Sequence, residues 1–408
     1  MKILVVSQYY YPEQFRITDI CEELVKRGNE VTVVTGLPNY PEGEIYVGYE
    51  KSYEKEQIIN NVRIVRCKLR PRHKGTLNLA LNYISFVFQS IKKLKNITCN
   101  FDVIYVYGLS PIFIALPAIW YKKKYQIPIY YYCMDIWPES IRDVQNGHKL
   151  MKKSNPIFLI TKSISKYIYN NVDLIGCKCE SFIDYLESEC NINRKKMKLL
   201  YEHAENIYLS VSDTPVNNNV VDFVFLGNIG SSQNCEIFVN AFKKLKNIDN
   251  ARIHFVGDGS NIESLKKLVS NLELENYIYF HGKHPLIETM RYYELADCCI
   301  MSLLNDTATG TTPPGKLYGY MASSRPILAA INGDSKKIIE YSNCGWCVQP
   351  DDLDSLCEVM DEIICNKYNL IKMGKNGRDY FLNNFTLDKH VTELVDQLNS
   401  LISNEVNE

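Results

Sequence analysis

The segment with the clearest chemical potential is a loop that ends in a lysine. It reads Thr309-Gly-Thr-Thr-Pro-Pro-Gly-Lys316, and a helical pattern, Leu-Tyr-Gly-Tyr-Met-Ala, follows it directly. A lysine in the first turn of a helix opposes the helix dipole unless an anion is bound there. We therefore predict that the loop binds a phosphate, the alternative being a solvated surface lysine. The residues assigned to this anion site are Thr311, Thr312, Pro314, Gly315, Lys316 and Leu317.

Three glycine turns in the same half of the chain favour the same chemistry. They read Phe-Leu-Gly227-Asn-Ile-Gly230, Phe-Val-Gly257-Asp-Gly and Phe-His-Gly282. Glycine lets the backbone approach a ligand closely, and a helix N-terminus behind it offers free N–H groups to a phosphate. One such turn is usually an ordinary strand-to-helix connection, but three together favour a nucleotide site. The residues assigned to it are Gly227, Asn228, Gly230, Gln233, Gly257 and Gly282.

A bound metal ion or a redox centre is not expected. The run Asp351-Asp352-Leu-Asp354 is typical of a helix cap rather than of a metal motif at a strand end. Cys344-Gly-Trp-Cys347 has a redox spacing, but it does not follow a first strand as a thioredoxin-like motif does. We therefore interpret the fourteen cysteines as reduced thiols.

The elements that must position these residues alternate between strands and helices. Residues 3–6 form an apolar run, and Ile17, Ile20 and Leu24 then recur at helical spacing up to Gly28, which favours a helix end. Further strands are predicted at residues 31–35, 64–69, 103–107, 129–132 and 174–176 and, after a polar stretch at 210–219, at 223–226, 253–256, 277–280, 299–303, 327–330 and 346–348. Such alternation is typical of parallel sheets covered by helices.

The chain is therefore predicted to be α/β, with two Rossmann-like, doubly wound parallel-sheet domains. The first domain is placed at residues 1–212 and the second at residues 220–385, with the boundary in the polar stretch. A last helix at residues 386–402 is expected to pack back on the first domain. Because ligands bind beyond the carboxyl ends of such strands, the two sheets should face each other across a cleft.

Composition restricts the partners and the cellular location. The formal net charge is −1 over 408 residues, so no overall field selects nucleic acid. The chain start lacks a signal-peptide pattern, which predicts a cytoplasmic protein. Residues 103–121 carry no charge and precede three lysines, as a transmembrane helix would. Gly108, Pro111 and Pro117 interrupt that run, so a strand, a loop and a short helix explain it better.

Over nearly its whole length the chain resembles retaining glycosyltransferases of family 4, which have the GT-B fold. The opening Lys-Ile-Leu-Val-Val-Ser-Gln-Tyr-Tyr-Tyr-Pro-Glu and the run Arg-Gly-Asn-Glu-Val-Thr-Val-Val-Thr-Gly-Leu-Pro-Asn-Tyr-Pro are similar to the WbuB-type branch of that family. Asp135-Ile-Trp-Pro-Glu139 resembles the branch's Asp-x-Trp-Pro-Glu segment. Pro314-Gly-Lys316, followed by Tyr320-Met-Ala, is similar to the family's donor loop. The branch is associated with L-fucosamine transfer in surface-polysaccharide assembly.

The resemblance implies a reaction and its partners. A sugar, such as N-acetyl-L-fucosamine, would pass with retention from a nucleotide diphosphate, expected to be UDP, to a lipid-linked saccharide acceptor. The product would be O-antigen, capsule or exopolysaccharide, made at the inner face of the plasma membrane. Lys316 would stabilise the leaving diphosphate. That phosphate would itself take the acceptor's proton, and neither a metal ion nor another cofactor would be needed.

Four positions depart from the family pattern. Asn228 and Gln233 stand where the family usually places a basic pair, and Thr311 and Gly319 stand where it carries two glutamates. The family's acidic contact to the nucleotide ribose is therefore missing or supplied elsewhere. Lys316 becomes the chief cation expected at the diphosphate.

Acceptor-side residues are expected in the first half of the chain. The segment from Gln8 to Glu13 follows the first predicted strand, and Asp135 follows the strand at 129–132. In a parallel sheet such segments share the carboxyl edge. We predict a catalytic role for Asp135. The residues assigned to acceptor contacts are Gln8, Tyr9, Glu13, Arg16 and Glu139.

Residues 70–95 indicate contact with an anionic membrane. Arg70-Pro-Arg-His-Lys precedes an apolar helical run, which ends in Lys92-Lys-Leu-Lys95. Basic groups beside Leu, Tyr and Phe suit an anionic membrane surface. A core helix with solvated ends has the same pattern.

Two other functions remain open at this point. A GT-B nucleotide-sugar epimerase or phosphorylase would share the fold, but an epimerase needs acid and base groups in the cleft. A non-catalytic partner of a transferase complex would tolerate the missing glutamates. Release of UDP with and without a lipid acceptor separates these functions.

Overall fold

The chain folds into two compact α/β units in the computed structural model, which describes residues 1–97, 100–142, 151–215, 220–304, 312–366 and 369–405. The first unit comprises Met1–Arg142, Met151–Tyr201 and the chain from His390 onward. The second unit comprises Glu202–Lys389. Each unit is built around one sheet.

An eight-stranded sheet forms the centre of the first unit. Its strands are β1 (Lys2–Val6), β2 (Glu30–Gly36), β3 (Gln57–Ile59), β4 (Val62–Cys67), β5 (Val103–Gly108), β6 (Ile129–Cys133), β7 (Leu174–Cys177) and β8 (Met197–Leu199). Their order across the sheet is β3-β4-β2-β1-β5-β6-β7-β8. Only β3 runs antiparallel to its neighbour among these described strands. The central strand β1 is the apolar run that opens the sequence, and Ile3 lies opposite Val31 and Val103.

Helices cover this sheet because its apolar residues alternate between two faces. The helices of the first unit are α1 (Ile17–Lys26), α2 (Thr76–Leu94), α3 (Leu116–Tyr125), α4 (Glu139–Arg142), α5 (Pro156–Asn171) and α6 (Glu180–Cys190). One face of the sheet forms a core with Phe86 of α2, Tyr121 of α3 and Ile168 of α5. The carboxyl ends of the strands stay clear for the loops that follow them.

The second unit repeats the plan with a six-stranded, fully parallel sheet. Its strands are β9 (Val221–Leu226), β10 (Ala251–Val256), β11 (Ile278–Gly282), β12 (Cys298–Ser302), β13 (Ile327–Ala330) and β14 (Gly345–Val348), in the order β11-β10-β9-β12-β13-β14. Its helices are α7 (Glu236–Lys243), α8 (Ile262–Asn271), α9 (Leu286–Leu295), α10 (Gly315–Ala322), α11 (Gly333–Ser342), α12 (Leu353–Cys365) and α13 (Leu370–Asn384). The predicted fold class, two parallel-sheet α/β domains, is confirmed.

The uncharged segment at residues 103–121 folds as the sequence predicts. It forms β5, a 3-10 turn at Ile112–Ala115 and the start of α3. Within the described ranges, none of the helices is both long and apolar enough to cross a membrane.

The last helix, α14 (Leu387–Glu405), packs on the first unit from residue 390 onward. The hydroxyl of Tyr130 on β6 donates to Gln397 Oε1 at 2.7 Å. The His390 ring lies 5.4 Å from the ring of Tyr132. Tyr130 and Tyr132 point to the face of the sheet opposite the core residue Tyr131, so α14 covers that second face.

The segment between the two sheets is held by arginines. Residues 202–212, which the sequence pattern placed with the first domain, group with the second unit. Arg378 donates from Nη1 to Asp213 Oδ1 at 2.6 Å and from Nη2 to the Val211 carbonyl at 2.7 Å. Arg325 donates to two further carbonyls of this segment. A polar composition predicts a solvated linker, but here the polar backbone is bound by the buried guanidinium group of Arg325 and the partly buried one of Arg378.

We expect Arg378→Met to lower the free energy of unfolding by about 1–3 kcal/mol, because charge-assisted hydrogen bonds disappear and backbone carbonyls are left without donors. Lys375→Met on the same helix is the matched control. Its Nζ is 4.0 Å from Asp213 Oδ2, and its loss should cost less than about 0.5 kcal/mol. Denaturant unfolding measures both. Equal losses in the two variants would show that Arg378 does not hold the segment.

Candidate active site

The predicted glycine turns meet at the carboxyl ends of β9, β10 and β11. The Gly227 N–H donates to the Val256 carbonyl at 2.9 Å, and the Gly257 N–H donates to the Gly282 carbonyl at 2.8 Å. A Cβ added at Gly257 would lie 1.9 Å from the carbonyl oxygen of Gly227. Only glycine fits so close an approach. We call the backbone surface formed by Gly227, Gly257 and Gly282 the glycine shelf.

Asn228 and Gly230 border the glycine shelf. A Cβ at Gly230 would lie 2.8 Å from Asn228 Nδ2. The Ile229 N–H between them donates to the Asp258 carbonyl at 2.9 Å, which ties the first turn to the second. Asn228 is exposed, so an amide rather than a charged group faces solvent at this edge.

Lys316 lies in the first turn of α10 and reaches the glycine shelf. Its Nζ donates to Gln233 Oε1 at 2.6 Å and lies 3.7 Å from the centroid of the Phe225 ring. A Cβ at Gly227 would be 3.4 Å from Lys316 Cε. Burial lowers the pKa of Lys316 to about 7, and the nearby Cys235 thiol partly opposes that shift. The structure thus brings Lys316, Gln233 and Gly227 together.

The other loop residues assigned to the anion site take different positions. Pro314 is the N-cap of α10, and Gly315 is its first residue. Thr312 is buried. Leu317 is fully buried, so a ligand could reach only its backbone. Thr311 lies outside the described residues.

Two hydroxyl groups that were not among the predicted site residues fix this arrangement. The Tyr320 hydroxyl accepts from the Leu226 N–H at 3.0 Å and donates to the Ile300 carbonyl at 3.2 Å. Ser302 Oγ donates to the Asn234 carbonyl at 3.1 Å. These bonds tie α10 and the turn after Gln233 to the sheet. Tyr320 belongs to the run that resembles the family's donor loop, but that resemblance assigns no role to its hydroxyl.

Two tyrosines occupy the space beside Gly319. A Cβ at this position would lie 3.0 Å from the Tyr293 hydroxyl oxygen and 3.3 Å from Tyr208 Cε2. The two rings lie 5.1 Å apart. Burial raises the pKa of Tyr293 well above its usual range, so its hydroxyl stays neutral. A glutamate at position 319, as in the family pattern, would require both rings to move.

In the first unit, Glu13 joins two loops. The side chain is buried, and its Oε1 accepts the N–H groups of Asn39 at 2.9 Å and Tyr40 at 2.8 Å. Its Oε2 accepts the Tyr10 N–H at 3.3 Å. Burial raises the pKa of Glu13 to about 7, against the backbone hydrogen bonds, which lower it. These contacts give Glu13 a positioning role between the loops at residues 10–13 and 39–40.

Gln8 starts a buried amide network at the end of β1. Its Nε2 donates to Asn82 Oδ1 at 2.7 Å, and Asn82 Nδ2 donates to the Arg70 carbonyl at 2.6 Å. Gln8 Oε1 is buried and has no hydrogen-bond partner within the part of the chain that the structure describes. A buried acceptor of this kind calls for a donor from a ligand or a water. Sequence reasoning missed Asn82 because its partner is 74 positions away.

Tyr9 and Tyr83 place aromatic rings near the amide network of Gln8. The Tyr9 ring stacks on Phe15 with centroids 5.0 Å apart. The pKa of Tyr83 is raised, chiefly by burial and to a smaller extent by the charge of Asp135. The charge of Arg72 and a hydrogen bond with Tyr9 oppose that shift. Tyr83 therefore lies near both Tyr9 and Asp135, two residues assigned to the site, although its place on α2 does not mark it in the sequence.

Asp135 is held at the carboxyl edge of the sheet. Its Oδ2 accepts the backbone N–H of Ser110 at 3.1 Å and the Ser110 hydroxyl at 2.7 Å. The Trp137 indole N–H donates to the same hydroxyl at 3.0 Å. The loops after β5 and β6 are thereby joined, and the carboxylate is kept in one orientation.

Glu139 and Arg16 have local structural contacts. Burial would raise the pKa of Glu139, but hydrogen bonds from Arg142 and Tyr185 and the charge of Lys153 outweigh it and lower the pKa. Arg142 Nη1 lies 2.7 Å from Glu139 Oε2. Arg16 is the N-cap residue of α1, and its carbonyl accepts the Ile20 N–H at 3.1 Å. An acceptor would have to compete with the ion pair to reach Glu139.

Family matches coincide with the two units. A family model described as "Glycosyltransferase Family 4" matches residues 15–202, and one described as "Glycosyl transferases group 1" matches residues 221–366. We call the two matched regions the family 4 domain and the group 1 domain. The group 1 domain contains the glycine shelf and Lys316, and the family 4 domain contains Asp135. The WbuB-type branch stays a prediction.

Part of the chain is similar to two named proteins. The probable glycosyltransferase WbjE of Pseudomonas aeruginosa is 27% identical over 265 residues, which are 62% of this chain and 63% of WbjE. The alpha-monoglucosyldiacylglycerol synthase of Streptococcus pneumoniae is 22% identical over 260 residues, 60% of this chain and 55% of the synthase. The match thus spans less than two thirds of either relative.

Solved structures share the fold over almost the whole chain. Anabaena HepE, solved in complex with UDP, has a TM-score of 0.70 at 13% identity, covering 98% of this chain and 100% of HepE. Sucrose-phosphate synthase of Thermosynechococcus elongatus has a TM-score of 0.76 at 14% identity, covering 99% of each chain. At such identities the likeness shows the fold alone, which is GT-B.

Metal ligands were not expected in these glycosyltransferase domains. Among the residues that the structure describes, no cluster of three or more His, Cys, Asp or Glu side chains could hold a metal ion. Whether a metal ion takes part in the reaction is a separate question, and metal independence stays a prediction.

We expect Gly257→Ala to lower the free energy of unfolding of the group 1 domain by about 3 kcal/mol or more, because the new Cβ overlaps the Gly227 carbonyl at a positive φ. Gly28→Ala is the matched control. Gly28 also has a positive φ, but a Cβ there meets no atom within 4 Å. That variant should lose about 1 kcal/mol, the cost of the backbone conformation alone. Thermal and denaturant unfolding measure both variants, and equal losses would contradict a closely stacked glycine shelf.

Proposed function

We propose that this chain is a glycosyltransferase that moves a sugar from a nucleotide diphosphate to a lipid-linked saccharide. The observation that carries the proposal is the contact of Lys316 Nζ with Gln233 at the glycine shelf, 2.6 Å long. Burying an ammonium group at a helix N-terminus is unfavourable in free energy unless an anion binds next to it. A diphosphate would supply that anion and would also meet the backbone N–H groups at the start of α10.

Lys316 is proposed to act on the leaving group. As the bond between the anomeric carbon and the phosphate oxygen breaks, negative charge grows on the diphosphate, and a fixed ammonium stabilises the transition state more than the ground state. Gln233 holds the ammonium in place by accepting one of its hydrogens. In retaining transfer the leaving phosphate takes the proton of the acceptor hydroxyl on the same face of the sugar, so we propose no separate base.

UDP is the proposed nucleotide of the donor. HepE, which shares the fold, was solved with UDP, with UDP and glucose, and with UDP-glucose. The family resemblance favours an N-acetylated deoxyamino sugar such as N-acetyl-L-fucosamine. The neutral side chains of Asn228 and Gln233 leave Lys316 as the proposed main cation at the diphosphate.

The acceptor is proposed to bind the family 4 domain near Asp135, Gln8 and Tyr9. Asp135 has one oxygen fixed by Ser110, and we propose that the carboxylate orients the acceptor hydroxyl. The buried Oε1 of Gln8 would accept a hydrogen bond from a sugar hydroxyl. Relatives and structural neighbours named for glycolipid and lipopolysaccharide synthesis support a lipid-linked acceptor. We place the reaction at the cytoplasmic face of the membrane, in polysaccharide or glycolipid biosynthesis.

The proposal is tested by measuring the release of UDP from candidate UDP-sugars. The measurement is made with and without a lipid-linked saccharide, and before and after exhaustive chelation of metal ions. We expect release that depends on the acceptor and is nearly unchanged by the chelator. Conversion of the free UDP-sugar into its epimer would support the epimerase instead. Nucleotide binding without turnover of any UDP-sugar would support a non-catalytic partner, and activity restored only by magnesium or manganese would refute metal independence.

We expect Lys316→Ala to lower kcat/KM by about ten- to a hundred-fold, since a hydrogen bond to a charged group is worth about 1.5–3 kcal/mol. Lys316→Arg should recover only part of the rate, because its wide planar fork fits a tight loop differently. Lys337→Ala is the matched control. That lysine also lies near a helix start, in α11, but its Nζ donates to Asp334 at 3.1 Å.

Transfer kinetics and thermal unfolding are measured together on these three variants. Near-normal kinetics of a folded Lys316→Ala enzyme would mean that backbone dipoles or another cation carry the phosphate charge.

A further inference from the structure

The helices α2, α3 and α5 of the first unit contain no acidic residue. Their sequences, at residues 76–94, 116–125 and 156–171, include seven lysines and no Asp or Glu. The lysines are Lys92, Lys93, Lys122, Lys123, Lys124, Lys162 and Lys166. Other helices of the unit do carry acids, for example Asp19 in α1 and Asp184 in α6. The lack of acids is therefore a property of these three helices and not of the whole unit.

The three helices form one layer. Helix α2 contacts α3, and α3 contacts α5. Phe86, Tyr121 and Ile168, one from each helix, join the same core cluster beneath them. We call the outer surface of α2, α3 and α5 the acid-free face.

The acid-free face exposes large apolar side chains. On α2, Leu77 and Phe88 are 72% and 69% exposed, and Ile84 lies at the same helical stripe between them. On α5, Ile157 and Ile160 are 56% and 62% exposed. Contiguous exposed apolar surface on a folded protein marks a contact with a partner or a membrane.

We propose that the acid-free face lies on an anionic lipid bilayer, with Ile157 and Ile160 of α5 inserted at the boundary of head groups and acyl chains. This inference rests on the proposed lipid-linked acceptor, and it adds α5 to the membrane contact expected at residues 70–95. Lys122 pairs with Asp173, and Lys162 pairs with Glu189, both acids being on neighbouring elements. The other five lysines complement lipid phosphates, and their long stems let the ammonium groups reach the head groups while isoleucines insert.

The face is also connected to the acceptor side. Helix α2 bears Leu77 and Phe88 on its outer stripe and Asn82 on its buried side, where Asn82 binds Gln8. The side of α2 that faces the sheet thus carries a contact of the acceptor region, and the opposite side is free for lipid. A helix placed in this way would bring the head of a lipid-linked saccharide to residues near Gln8.

Vesicle flotation tests the proposal with phosphatidylcholine vesicles and with vesicles that also contain phosphatidylglycerol, at low and high salt. We expect binding to the anionic vesicles that salt reduces but does not abolish, because apolar insertion is not screened. The double variant Ile157→Gln/Ile160→Gln keeps every charge and should weaken binding about tenfold or more. The matched control is Leu286→Gln/Ile287→Gln, at the start of α9, a helix with an acidic first turn; these residues are 37% and 65% exposed.

Equal binding by the α5 double variant and the control would overturn the proposal, as would a wild-type protein that high salt releases completely. A second measurement covers the case of poor folding. In Ile160→Trp, brominated acyl chains should quench the new tryptophan, whereas Ile287→Trp should gain no quenching. An α5-dependent dimer without vesicle binding would also overturn it. The vesicles contain no saccharide, so loss of vesicle binding and loss of transfer activity are separate results.

Discussion

The site depends on a partly buried ammonium that has no carboxylate partner among the residues that the structure describes. Lys316 Nζ contacts an amide oxygen and an aromatic ring, and within the described part of the chain it makes no ion pair. Burial lowers its pKa to about 7, so the charged form of Lys316 is destabilised in the folded protein relative to water. A bound anion would remove that cost. At the start of α10, beside the glycine shelf, such an anion would also meet backbone N–H groups.

The departures from the family pattern fit this constraint. Gln233 is neutral, so it orients the lysine without supplying a second charge. At Gly319, the neighbouring Tyr208 and Tyr293 take up the room that a glutamate would need. Restoring only the glutamate would therefore create a clash. Gly319 and the packing of Tyr208 and Tyr293 thus form one neutral, aromatic arrangement.

Local patterns in the sequence predicted most of the strands, the glycine turns and the place of Lys316 in the first turn of a helix, but not the short strands β3 and β8. These features rest on periodicity, on the conformational freedom of glycine and on the helix dipole, all of which can be read over a few residues. Contacts between distant segments could not be read in this way. The Tyr320 hydroxyl binds the backbone of Leu226, 94 positions away, and Glu13 binds the backbone of Asn39.

The same limit applies to the segment after the first unit. Its polar composition predicts a boundary near residues 210–220, but the long-range contacts of Arg325 and Arg378 tie residues 211–213 to the second unit. Glu139 shows the corresponding limit for the site. Its place after a strand suggests a ligand contact, whereas Arg142 and Tyr185 already bind its carboxylate.

The pH dependence of UDP binding tests the central claim most directly. A bound diphosphate favours the protonated form of Lys316, whereas the free protein loses that proton as the pH rises through about 7. Calorimetry in buffers of different ionisation enthalpy should show affinity falling by about tenfold or more from about pH 7 to about pH 9, with uptake approaching one proton. Lys316→Arg, which stays charged, should remove this dependence. Affinity that is constant over this range, without proton uptake, would contradict the account.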